Sequence, residues 1–74
     1  MRKPSMIQIQ RRYIDAVNGA QPRFRALVRG GAERRALADL KAWGFSREQA
    51  DEVIDEARAI EVLERLAAEA EASA

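Results

Sequence analysis

From residue 46 onward, apolar positions recur at intervals of three and four: Ala50, Val53, Ile54, Ala57, Ile60, Leu63, Leu66, Ala67 and Ala70. That spacing predicts a long amphipathic helix. Ser46-Arg47-Glu48-Gln49 has the form of a capping box, in which the serine accepts from the Gln49 amide and the glutamine reaches back. Nothing after it breaks a helix before about Ala72. The polar face carries Glu48, Asp51, Glu52, Asp55 and Glu56, and acidic first turns suit the positive end of a helix dipole. A second helix is expected over about Ala32 to Trp43, where Ala32, Ala36, Leu37, Leu40 and Trp43 share a face. Gly44 supplies the left-handed residue that commonly follows a helix. Gly44-Phe45-Ser46 leaves room only for a sharp reversal, so residues 32–72 read as a helical hairpin with Trp43 or Phe45 plugging the bend.

The N-terminal third has two readings. As a helix, residues 6–18 place Met6, Ile7, Ile9, Tyr13, Ile14, Ala16 and Val17 in one half of the wheel, with Gln10 intruding. Ser5-Met6-Ile7-Gln8 is another capping box, Gly19 fits the position after a helix end, and Pro22 follows. A short helix from Pro22 to Arg29 then uses Phe24, Leu27 and Val28. As a β-hairpin, Asn18-Gly19 forms the turn, Ile14, Ala16, Phe24, Ala26 and Val28 share a face, and Asp15 opposes Arg25. The hairpin leaves Ile7 and Ile9 unexplained, so the helix is favoured. The expected fold is all-α, one domain over residues 1–74: a flexible N-terminus (1–5), a basic segment (6–31) and the helical hairpin (32–72). The alternative is α+β, a β-hairpin followed by two helices.

Length arithmetic adds a constraint. A last helix of ~26 residues is about 39 Å long, against about 18 Å for a ~12-residue partner. The partner cannot cover Ile60 through Ala70, so the N-terminal segment or another chain must. A small domain with an uncovered apolar helix face binds something as a rule, and self-association is the simplest case.

Composition narrows the function classes. The chain has 74 residues, 47% apolar and 34% charged, with no His and no Cys. So short a domain hides only about 60% of its unfolded surface. The common zinc, haem and iron–sulfur ligand sets cannot be assembled, nor can a Ser–His or Cys–His pair. No run reaches the ~20 apolar residues of a membrane span, and no apolar stretch of signal-peptide length follows the N-terminus. The expectation is therefore a cytoplasmic, non-enzymatic protein with no cofactor, metal or small-molecule substrate. The acidic patch on the last helix reads as a solvated face.

The net charge of +1 conceals an asymmetry. Residues 1–35 carry nine basic and two acidic side chains, and residues 36–74 carry four basic and ten acidic. Arg11, Arg12, Arg23, Arg25, Arg29, Arg34 and Arg35 are candidates for anion or nucleic-acid contact, because guanidinium groups bind phosphate or carboxylate bidentately. Phe24 or Tyr13 would stack on bases. The competing reading pairs these arginines with the acidic C-terminal helix, within or between chains.

Leu37-x-x-Leu40-x-x-Trp43-Gly44-Phe45-Ser46-x-x-x-Ala50-x-x-x-Ile54 resembles the first loop and flanking helices of UBA-like three-helix modules. The likeness implies a protein-binding patch at the Gly-Phe loop. The sequence departs from those modules in having no break between a second and a third helix.

The reading these observations favour is a small binding protein that docks an apolar helix face, flanked by charge, onto a protein partner or a second copy. Trp43, Phe45, Ile60, Leu63 and Leu66 are its candidate contact residues. Its size and its Arg- and Ala-rich composition suit a phage-type accessory protein, such as a host-protein inhibitor or a virion component, which would then be virion-associated. The alternative is a nucleic-acid-binding regulator that uses the Arg-rich half.

Overall fold

The computed structural model describes residues 3–73. Three α-helices occupy most of them: α1 (Met6–Gly19), α2 (Arg25–Ala42) and α3 (Arg47–Ser73), with one 3-10 turn at Pro22–Phe24. The all-α reading holds, and the β-hairpin alternative does not: the described residues contain no strand. Asn18 and Gly19 end α1 instead of forming a turn between strands.

Both capping boxes form. Ser5 Oγ accepts from the Gln8 amide at 3.1 Å, and Gln8 Oε1 accepts from the Ser5 amide at 2.8 Å. The same exchange joins Ser46 and Gln49, at 3.1 and 3.0 Å. These contacts satisfy amide groups that a helix N-terminus leaves without intrahelical acceptors. Of the N-terminal segment, Met1 and Arg2 lie outside the described residues. Pro4 is engaged, its carbonyl accepting from the Trp43 indole at 2.5 Å.

The expected break between a short helix and a second one beginning at Ala32 is corrected: α2 starts at Arg25 and runs unbroken through Gly30-Gly31 to Ala42. A helix-interior glycine costs about 1 kcal/mol against alanine without being a stop signal. Packing of this helix against α1 and α3 overrides that preference. Gly19 is likewise still helical, whereas Gly44 takes the left-handed conformation, φ +92°. There the Phe45 amide donates to the Leu40 carbonyl at 3.1 Å and the Gly44 amide to that of Lys41 at 2.9 Å. This is a Schellman motif. Its usual hydrophobic contact is made by Phe45, packed against the cluster that holds Leu40.

Side-chain pairings fix the directions. Arg29 meets Glu61 and Glu33 meets Arg58, so α2 and α3 run antiparallel, as the hairpin reading requires. Gln10 bonds the Val53 carbonyl and Asn18 that of Glu61, so α1 lies parallel to α3. The core has two parts. Ile9, Ala36, Leu40, Ala50 and Ile54 form one near the α2–α3 bend. Tyr13, Ile14, Val17 and Ala57 form the other, with Ala32 and Ile60 against it. α2, at 18 residues longer than the expected ~12-residue partner, itself reaches Glu61 through Arg29, and α1 packs along the same stretch of α3.

Coverage stops part-way along α3. Its buried residues are Ala50, Ile54, Ala57 and Glu61, and every described residue from Leu66 to Ser73 is exposed. Those eight residues, about 12 Å of helix, extend the molecule to 44 × 26 × 20 Å. The accessible surface is 5387 Å², where a compact monomer of this mass has about 4,600 Å².

Candidate interface

Leu63 is 66% exposed, Leu66 54% and Val62 40%. The reason lies in helix geometry. Ile54, Ala57, Ile60, Leu63 and Leu66 are three residues apart, and each step of three falls about 60° short of a full turn. The row winds around α3, so the side that is buried at Ile54 and Ala57 has passed to water by Leu63. Positions that keep to the buried side step by four, three and four: Ala50, Ile54, Ala57, Glu61. Ala59, Leu63, Leu66 and Ala70 repeat the same interval on the opposite face, all of them exposed.

The five candidate contact residues therefore separate. Leu63 and Leu66 are free on the outer face. Ile60 is half-buried against the Tyr13–Val17 cluster. Phe45 is half-buried and serves the bend. Trp43 is 44% exposed, with its indole N–H held by the Pro4 carbonyl. Trp43 and Phe45 sit at the α2–α3 end of the molecule, far from the distal leucines along α3.

Glu61 was not legible as a site from its residue type alone. It is 1% exposed and lies between Arg29 and Arg65. Arg29 donates to Oε1 from Nη2 at 2.9 Å and from Nε at 3.2 Å, while Arg65 donates to Oε2. Asn18 completes the ring: its amide group donates to the Glu61 carbonyl at 3.0 Å, and its Oδ1 accepts from Arg65 at 3.2 Å. Burial alone would raise the Glu61 carboxyl, but the two arginines outweigh it and hold the group below the ordinary carboxylate range. The hydroxyl of nearby Tyr13 is buried with no partner in hydrogen-bond geometry. Burial, with Glu33 next in effect, pushes that phenol up. A signal for Glu61 existed: it stands four residues after Ala57 and seven after Ile54, which is a core position in the helical repeat. A buried carboxylate there requires cationic partners.

The seven candidate arginines also divide. Arg29 is committed to Glu61, and Arg11 to Glu64 (2.5 Å) and Asp15 (3.1 Å). The Arg11 contact lowers the Glu64 carboxyl. Arg23 lies over the Phe24 ring, 4.8 Å from its centroid. Arg25 is half-buried, and its Nε has no acceptor. Arg12, Arg34 and Arg35 are exposed and form no ion pair among the described residues.

Two of these free cations border a groove of about 570 Å³ between α1 and α2. Its lining mixes small residues such as Gly31 and Ala36 with Ile9, Tyr13 and Val28, and its two arginines, Arg12 and Arg35, are matched by two aspartates, Asp15 and Asp39. A side-chain carbon added at Gly31 would meet only the Arg34 guanidinium, at 3.9 Å, so the folded chain itself does not require glycine there. Among the described residues, no group of three or more Asp or Glu side chains is placed to hold a metal ion. Among the same residues, no helix is long and apolar enough to cross a membrane.

No protein-family model, curated protein or solved structure matches this chain. What the chain offers is its own chemistry: an apolar overhang, a groove of mixed charge and a buried charge cluster that joins α2 to α3.

Proposed function

We propose that this chain is a small binding protein, not an enzyme, and that the outer face of distal α3 is its docking surface. The observation that carries the reading is the exposure of Val62, Leu63 and Leu66 together on one segment: α1 touches it through Arg11 on Glu64 and Asn18 on Arg65, yet all three apolar side chains stay exposed. Scattered surface leucines are ordinary, whereas neighbouring ones on an overhanging helix form an apolar patch of the kind that associates. Burial of those side chains supplies affinity, and the surrounding charges set orientation and encounter rate. A phage-type accessory role remains compatible with this size and composition. Light scattering of the native chain and of Leu66→Asp tests the docking reading. A native mass that is a multiple of 8.3 kDa, reduced to one copy in the variant, supports it. Equal masses for the two reject it.

A second reading, nucleic-acid contact, is favoured by Arg12, Arg34 and Arg35 standing exposed and free of ion pairs. It is weakened by the loss of Arg11 and Arg29 to Glu64 and Glu61. Retention on duplex DNA that falls steeply with salt, with a slope of about −0.9 per phosphate, would support it. Retention that is absent at low salt would remove it.

A further inference from the structure

We infer that the outer stripe of α3 docks on the same stripe of a second copy, with the two helices antiparallel about a twofold axis level with residues 64 and 65. The inference rests on the docking reading above and adds the occupant of that face and its register. The first support is the order of residues along the stripe. Ala59, Leu63, Leu66 and Ala70 are all exposed and follow one another by steps of four, three and four, the interval of a helix–helix seam. Size and spacing read the same in both directions: small, large, large, small. A patch that meets its own copy about a twofold axis has to be its own complement. Reversal sets Leu63 against Leu66 of the second copy and Ala59 against Ala70. Leucine layers then fill the centre, and the alanine layers beside them let the two helices come close.

The second support is charge. Glu52 and Glu56 continue the stripe toward the start of α3, and both are exposed. Neither forms an ion pair among the described residues. A parallel pair in register would oppose each of these carboxylates to its own copy, which is unfavourable. Sliding the antiparallel pair by one seam position in one direction lays Glu56 on Leu66. Sliding it the other way leaves Leu63 opposite Ser73. In the register centred between residues 64 and 65, Glu56 falls opposite Ser73, and no carboxylate enters the seam between them. The third support is access. The buried line of α3, Ala50, Ile54, Ala57 and Glu61, lies about half a turn from the stripe. A helix docked on the stripe therefore meets neither α1 nor α2 of the chain that receives it.

One helix laid on another is a smaller contact than the standard interface, which removes about 800 Å² from each partner. The pair should be reversible, so a covalent trap is the direct test. The chain has no cysteine, and single cysteines at exposed seam positions report on the register. Ala59→Cys and Ala70→Cys are first checked for native helix content. Mixed in a glutathione redox buffer, they should form a disulfide-linked pair of twice 8.3 kDa. Each variant alone should stay uncross-linked. The register holds the two copies of either residue about 16 Å apart along the axis, beyond the roughly 7 Å between Cα atoms that a disulfide can span. With Leu66→Asp added to both variants, the mixed disulfide should be lost. Disulfides in each variant alone, in place of the mixed one, mean parallel helices and overturn the inference. A mixed disulfide that survives Leu66→Asp reports random collision and also overturns it. No cross-link in any combination, while the native chain keeps a multiple mass that Leu66→Asp abolishes, overturns the seam and leaves the docking reading standing. A native mass of one copy that Leu66→Asp does not change overturns both.

Discussion

The two halves of α3 differ in fate more than in composition. Between Ala50 and Glu61 the helix places a residue into the core at every turn. Between Val62 and Ser73 it places none, and Arg65 alone is even half-buried. The difference comes from the neighbours. α1 ends at Gly19, whose preceding residue Asn18 meets Glu61 and Arg65, and α2 begins at Arg25, one turn before Arg29 meets Glu61. Both partners run out at the same level, and α3 continues. Its alanines, glutamates and leucines sustain a helix by intrinsic preference, so the overhang needs no local packing to keep its form. A helix can thus be specified along its whole length by local chemistry while only half of it belongs to the fold.

The largest effect should separate the halves directly. Leu40→Ala, at a residue with no exposure, should cost about 2–5 kcal/mol. Leu66→Ala in dilute solution should stay within about 0.5 kcal/mol of native. Denaturant melts at equal low concentration make the comparison, and a large loss in Leu66→Ala would show that the overhang is packed after all.

The charge cluster at the boundary gives the next effect. Arg29→Ala removes two hydrogen bonds from a buried carboxylate and should cost about 1–3 kcal/mol. The pH dependence sharpens this. With the Glu61 carboxyl lowered in the folded state, the folded chain binds fewer protons than the unfolded one near pH 4. The stabilisation is fully present above the ordinary glutamate value of about 4.3 and is lost as pH falls through the lower folded value. Glu64, lowered by Arg11, acts in the same direction. In Arg29→Ala, burial regains influence over Glu61, so the acid loss should flatten. Thermal melts from pH 5 to 3 read both slopes, and parallel slopes would mean that Arg29 does not hold the carboxylate.

The smallest effect is a gain. Gly30→Ala has open space apart from the Arg34 side chain at 3.7 Å and should stabilise the fold by up to about 1 kcal/mol, which a denaturant midpoint detects.

Much of this was readable in the chain. The capping boxes at Ser5 and Ser46, the Gly44 reversal and the helical hairpin follow from local chemistry, and local chemistry decides them. That α3 outruns its partner followed from length, but where it does so was not legible, because α2 has 18 residues in place of the expected ~12 and reaches Glu61. The continuity of α2 through Gly30-Gly31 was not legible, because glycine weakens a helix by an amount that tertiary packing can offset, and the packing partners lie elsewhere in sequence. Grouping Ile60 with Leu63 and Leu66 as one face failed for a geometric reason: steps of three rotate, so Ile60 turns toward Tyr13 and Val17 while the leucines turn away. Glu61 was hidden by its type, since its burial depends on Arg29 from another helix. Of the arginines, which were bound internally and which were free depended on distances that no spacing rule contains.

Hydrogen exchange along α3, followed residue by residue in dilute and in concentrated solution, tests the central claim most directly. Amides from Val53 to Glu61 should be protected at both concentrations. Those from Leu66 to Ser73 should exchange rapidly when dilute and slow markedly when concentrated, as the outer face docks. Equal protection of both halves in the dilute chain, or distal exchange that ignores concentration, would contradict the account.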